Sequence, residues 1–143
     1  MRERPVFDQV SLVVTDMEAS VGFYRRLGLE IGGEGEPWSA HHRSADTDGG
    51  IDLDFDSQSF APVWNEGWPG GSGVVVGFRM PDRESVDRTY AELVAAGHQG
   101  QQAPYDAFWG ARFAMVADPD GNSVGLMSPA DPAFRTEPPP LPD

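Results

Sequence analysis

Three carboxylates at alternate positions, Asp52, Asp54 and Asp56 in the stretch IDLDFD, are the residues best spaced to do chemistry together. On an extended strand, residues i, i+2 and i+4 share a face. The three would then form an acidic ladder able to hold a hard cation through oxygen donors. The competing reading, favoured here, is a solvated or edge-strand face kept charged against aggregation. Histidine adds little. His41 and His42 are adjacent, so on a strand they point to opposite faces and cannot chelate together, and His98 follows a helical stretch. The chain has no cysteine, which excludes disulfides, thiolate zinc sites and dithiol redox chemistry. No Ser–His–Asp or Cys–His arrangement is suggested. The GGSG run at residues 70–73 reads as linker, because no GK[ST] or helix start follows it.

The formal charge of −13 over 143 residues disfavours nucleic acid and anionic membranes as partners, since both need a positive surface. It would draw cationic ligands, although solubility alone accounts for such a charge. The first residues hold no apolar run of signal or membrane length, so a soluble, cytoplasmic, single-domain protein is expected. All ten basic residues are arginine.

The elements that must position the acidic ladder repeat. QVSLVVTDMEASVGFYRRLG begins at Gln9 and VVGFRMPDRESVDRTYAELVAAG at Val75. At a constant offset of 66, Asp16 meets Asp82, Glu18 meets Glu84, Tyr24 meets Tyr90 and Leu27 meets Leu93. Each copy reads as a β-branched strand, an acidic helix start and a helical pattern, with Gly28 and Gly97 as stops. Each copy ends in a similar turn, ADTDGG from Ala45 and ADPDGN from Ala117, followed by a short strand. The plan is α+β, two tandem βαβββ modules over residues 6–57 and 74–128. A Trp/Gly/Pro-rich linker, 58–73, joins them, and a proline-rich tail, 129–143, reads as extended. Helices outside and a curved mixed sheet inside would enclose a cavity. Alternation then turns Val10, Leu12 and Val14 under the first helix, and Gln9, Ser11 and Val13 inward. On the last strand Ser123, Gly125 and Met127 look inward. Matching the turns at offset 72 places Ile51, Leu53 and Phe55 inward and the three aspartates outward.

This doubled pattern, with TDMEASVGFYRRLGL and FWGARFAMVADPDGNSVGLM, resembles the glyoxalase/bleomycin-resistance/dioxygenase superfamily over residues 6 to 128. The resemblance implies paired βαβββ modules, often assembled as homodimers. It also implies a cavity that in enzymatic members holds a divalent metal, and that in antibiotic-binding members works without one. The family's ligand positions fall on Gln9, Leu53, Val75 and Gly125, which leaves one donor of four. Because divalent metals need about three or more protein donors, neither a metal nor any other cofactor is expected.

What remains for the cavity is aromatic and apolar. Trp38, Trp64, Trp68, Phe108 and Trp109 lie outside the predicted helices and offer flat stacking surfaces. With Leu53, Phe55, Val75, Gly125 and Met127 they would form an apolar pocket, anchored by Gln9, Ser11 and Arg112. Trp64 and Trp68 are the favoured ligand or lid residues. The expected function is metal-free binding of an aromatic or amphipathic small molecule of antibiotic type, cationic by the chain's charge, with resistance by sequestration and no catalytic residue. The alternatives are a divergent metal-dependent glyoxalase-type lyase or isomerase, and an interaction module whose cavity is filled by its own tryptophans.

Overall fold

Two strands written in the same β-branched style meet at the centre of one sheet. β1, Val6–Val14, and β5, Gly73–Arg79, pair antiparallel in this computed structural model, which describes residues 4–47 and 49–143. Met1 to Glu3, and Asp48 within the first turn, lie outside the described residues. From β1 the chain passes through α1 (Met17–Leu27), β2 (Glu30–Ile31), β3 (His42–Asp46) and β4 (Asp52–Ser57). A short helix, α2 (Ala61–Trp64), lies inside the stretch read as linker. Beyond β5 come α3 (Arg83–Ala95), β6 (Gly100–Asp106), β7 (Arg112–Ala117) and β8 (Ser123–Met127). The sheet order is β2-β3-β4-β1-β5-β8-β7-β6, with β4 parallel to β1 and β8 parallel to β5.

Both long helices start where the acidic signals predict. The Asp16 side chain accepts from the Ala19 amide at 3.1 Å, and Gly28, at φ 118°, ends α1 in the left-handed region that glycine tolerates. Asp82 accepts from Ser85 N at 2.7 Å while Ser85 Oγ accepts from Asp82 N at 3.2 Å, a reciprocal capping box. One face of the sheet packs on these helices. Met17 and Val21 of α1 pack on Val14, Ile31, Ala45 and Phe55 of the sheet, and Val86 of α3 packs on Met80, Ala114 and Leu126. The concave face carries a third cluster of Val13, Phe60, Ala61, Trp64, Val75 and Met115, against which Trp38, Trp68, Phe108, Trp109 and Phe113 pack.

The ladders correct the faces of β4. Gln9 pairs with Asp52 and Ser11 with Asp54, while Val75 pairs with Ser123 and Gly77 with Gly125. Since Gln9 and Val75 are equivalent, Asp52 matches Ser123 and Asp54 matches Gly125, a spacing of 71 rather than 72. The similar turns are one residue out of phase with the strands they join, and one residue is enough to exchange a strand's two faces. Leu53 and Phe55 therefore lie under α1, where the Phe55 ring is fully buried with its centroid 5.2 Å from that of Tyr24. Asp52, Asp54 and Asp56 face the concave side. β4 is not an edge strand, because it sits between β3 and β1.

The linker and the tail are also more structured than their composition suggests. Asn65, fully buried, donates from Nδ2 to Gln101 Oε1 at 2.9 Å and accepts from the Gly67 amide at 3.1 Å, which ties the linker to β6. A 3₁₀ turn, Pro132–Phe134, follows β8. Asp131 N donates to Gly110 O and Thr136 N to Phe108 O, each at 3.0 Å, and the Arg83 guanidinium lies 3.9 Å from the centroid of the Phe134 ring. The tail is thereby strapped across the β6–β7 loop.

Candidate ligand cavity

The concave face encloses a cavity of about 450 Å³, within the range of drug-sized sites. One wall is acidic. Alternation on β4 and on β3 beside it delivers Asp52, Asp54, Asp56 and His42 to this face, and Asp8, Gln9 and Ser11 of β1 extend it. The other wall is aromatic. Trp38, Phe60, Trp64, Phe108, Trp109 and Phe113 line it from the loops, α2 and β7. Edge contacts hold the rings together: Trp38–Phe60 at 5.0 Å, Phe108–Trp109 at 5.1 Å and Trp109–Phe113 at 5.5 Å between centroids. Val75, Gly77, Gly125 and Met127 form the floor, and Pro138 of the tail reaches the rim.

Hydrogen bonds run along the acidic wall. His42 Nδ1 lies 2.6 Å from Asp56 Oδ1, and Ser44 Oγ donates to Asp54 Oδ1 at 2.8 Å. Gln9 Nε2 donates to Asp54 Oδ2 at 2.5 Å and to Ser11 Oγ at 3.1 Å. Burial pushes the Asp56 carboxyl above the usual carboxylate range, against the lowering effect of its bond to His42. Asp54 is likewise raised, first by burial and further by Asp56 and Asp52, although Ser44 and His42 oppose this. Burial favours the neutral form of His42, but Asp56 and then Asp54 outweigh it and raise the ring's proton affinity. Asp8 is raised by burial, with Arg79 opposing. Among the described residues no arginine lines the cavity, so His42 is the one cationisable group on its wall.

The residues singled out from sequence divide. Gln9, Ser11, Trp38, Trp64, Val75, Phe108, Trp109, Gly125 and Met127 stand on the cavity wall. Leu53 and Phe55 belong to the core under α1, for the register reason given above. Trp68 packs behind Trp64, its centroid 6.1 Å away, and donates its indole N–H to Gly71 O at 3.1 Å. Arg112 turns away from the cavity to Asp87 of α3 (2.8 Å) and Asp106 of β6 (3.2 Å). The carboxylates dictate that choice, since two lie within reach of one guanidinium. Sequence reasoning missed His42, Phe60, Phe78, Phe113 and Pro138, and it faced the three aspartates, which it had singled out, away from the cavity. The alternation in DLDFDS carried the signal for the acidic wall, because its aspartates alternate with Leu53 and Phe55, apolar side chains that favour the helix-covered face.

The donor set does not fit the divalent metal of enzymatic relatives. With Asp54 in place of Leu53, the four positions hold Gln9, Asp54, Val75 and Gly125, and the two donors are hydrogen-bonded to each other. No group of three or more His, Cys, Asp or Glu residues suited to a metal occurs among the described residues. No described helix is long and apolar enough to cross a membrane.

Comparison with known proteins agrees with this architecture. The Mn(II)-bound glyoxalase from Novosphingobium aromaticivorans superposes with a TM-score of 0.65 at 18% identity, covering 98% of this chain and 44% of that one. Methylmalonyl-CoA epimerase from Mycobacterium tuberculosis gives 0.58 at 18% identity, covering 88% and 89%. A glyoxalase/bleomycin resistance protein/dioxygenase superfamily member from Vibrio splendidus 12B01 gives 0.57 at 21% identity, covering 87% and 97%. At these identities the likeness is one of fold. A search of curated protein sequences finds no match. The model of the Glyoxalase/Bleomycin resistance protein/Dioxygenase superfamily matches residues 6–126, nearly the whole chain, and the protein belongs to that superfamily.

Proposed function

We propose that this protein binds a cationic, aromatic or amphipathic small molecule of antibiotic type and sequesters it without chemical change. The observation that carries the reading is the cavity's division into a carboxylate wall and an aromatic wall. An ionised carboxylate with few cationic neighbours in a partly dry site is costly to hold. A ligand that brings its own positive charge supplies the missing partner. Its ring system fills the space between Trp38, Phe108 and Trp109, where cation–π attraction adds to apolar burial. The chain's net charge of −13 assists capture at a distance. Cytoplasmic action as a homodimer belongs to the same proposal.

The test is a titration with bleomycin and a panel of cationic aromatic compounds, each beside a neutral isostere, following tryptophan emission. Cationic members are expected to quench or shift the emission at micromolar concentration and neutral ones to bind more weakly. If no cationic compound perturbs the emission, or neutral isosteres bind equally well, the reading fails.

A further inference from the structure

His42 and Ser44 stand on one face of β3, directly opposite Asp56 and Asp54 of β4. The four side chains form two pairs, and the pairs are not equivalent. Asp56 is buried and its carboxylate lies 2.6 Å from His42 Nδ1, so in the neutral ring the proton sits on Nδ1 and the lone pair on Nε2. On that second side the ring meets Ser44 Oγ at 3.5 Å, too far for a good hydrogen bond. That hydroxyl already donates to Asp54 at 2.8 Å. The neutral ring therefore presents an acceptor without a strong donor. Asp54 accepts from Ser44 at one oxygen and from Gln9 at the other, and a carboxylate has about four acceptor sites in all. Two unfilled acceptors thus stand side by side on the cavity wall, linked through one serine hydroxyl. Phe60 lies edge-on to the ring at 6.1 Å and supplies no donor.

We propose that this subsite selects a ligand cation bearing N–H bonds, a primary or secondary ammonium, over a quaternary ammonium, with His42 Nε2 and Asp54 as the paired acceptors. The inference rests on the proposed binding of a cation in this cavity and names the kind of cation. A quaternary ammonium satisfies the charge of Asp54 and can stack on the indoles, but it offers nothing to the imidazole lone pair. An ammonium fills both acceptors with charge-assisted hydrogen bonds. Binding it requires Nε2 to be unprotonated, so a proton leaves His42 for solvent wherever the free protein holds one there.

The experiment uses the intact protein with 2-(2-naphthyl)ethylamine and its N,N,N-trimethyl analogue, which share a ring system and a unit charge. Dissociation constants are measured between about pH 6 and 9, spanning the ordinary range of imidazole. At the upper end of that range the amine is expected to bind at least about tenfold tighter than the trimethyl compound, as the two added charge-assisted hydrogen bonds imply. In His42→Leu the preference is expected to shrink several-fold, to what Asp54 alone supports; His42→Gln, which restores an acceptor, recovers part of it. Equal affinity of the wild-type protein for the two probes overturns the inference and leaves the cation-binding reading standing. Failure of both probes to bind overturns both. The wild-type comparison needs no variant, so misfolding of His42→Leu does not remove the test, and an undiminished preference in a folded His42→Leu overturns the role of His42.

Discussion

Asp54 of β4 and Gly125 of β8 occupy equivalent places on the two parallel ladders, one opposite Ser11 and the other opposite Gly77. A doubled fold has here become two unlike walls: where one half presents a half-buried carboxylate, the other presents bare backbone. The same holds one strand outward. His42 pairs with Asp56 on β4, while its equivalent Phe113 pairs with Met127 on β8. One half of the cavity is polar and charged, the other aromatic, and a ligand must span both.

Replacing Asp54 by asparagine keeps its shape and much of its hydrogen bonding to Ser44 and Gln9 but removes its charge. Affinity for a cationic aromatic probe is expected to fall about tenfold or more, roughly 1.4 kcal/mol, with little change for a neutral isostere. Calorimetric titration of both probes checks this; an equal loss for both would mean that Asp54 acts through packing.

Binding of a probe with fixed charge, such as the trimethyl compound, is expected to strengthen as pH rises, in two steps. The folded-state carboxyl of Asp54 is raised, mainly by burial. Affinity should therefore be lost, as pH falls, above the usual carboxylate value of about 3.9. The second gain accompanies loss of the His42 proton, which removes a positive charge facing Asp56 and Asp54; since these carboxylates raise the ring's proton affinity, that gain falls above the ordinary imidazole value of about 6.5. Asp8, raised by burial and opposed by Arg79, adds to the first step. A flat profile from about pH 4 to 9 would contradict the acidic wall as the cation partner.

Chelator-treated, untagged protein is expected to retain no stoichiometric divalent ion by elemental analysis. The double substitution Gly125→Glu with Val75→His should gain one, by adding two donors to Gln9 and Asp54. A Cβ at Gly125 lies 3.4 Å from Met115 Sδ and 3.5 Å from Phe113, ordinary contact, so the glutamate enters without backbone strain. A tightly held ion in the natural protein would overturn the donor count.

Much of this architecture is legible in the sequence because repetition and capping are local. The offset of 66 relates β1 and α1 to β5 and α3, and Asp16 and Asp82 mark both helix starts. The indoles of Trp38 and Trp109 stand on the cavity wall from loops, as large rings outside helices need a partner surface, and Trp64 reaches it from the short α2 that the sequence did not announce. The faces of β4 were not legible. They depend on how the Ala45–Asp52 turn spends one residue, and the similarity of ADTDGG to ADPDGN points to the wrong spacing. The burial of Phe55 decides the question energetically, since a fully buried side chain of this size contributes about 1.5–3 kcal/mol, and Leu53, partly buried, packs beside it under α1. Facing alternating aspartates toward a cavity is the consequence.

The tail offers a last test, because it is held by contacts that one methyl group disturbs. Gly110 has φ 98°, and a Cβ built there would lie 2.5 Å from Asp131 O, so Gly110→Ala is strained in its own backbone and collides with the strap. The expected result is loss of the Asp131 N to Gly110 O bond and loosening of Thr136 N from Phe108 O, lifting Pro138 from the cavity rim. The sheet and α3 stay paired, since Asp106 and Asp87 still hold Arg112. Hydrogen exchange at the Thr136 amide should accelerate, and a bound aromatic probe should dissociate several-fold faster in stopped flow with its association rate little changed. Removing residues 137–143 should reproduce the faster dissociation without the exchange effect at Thr136. If both variants release the probe at the wild-type rate, Pro138 borders the cavity without helping to close it.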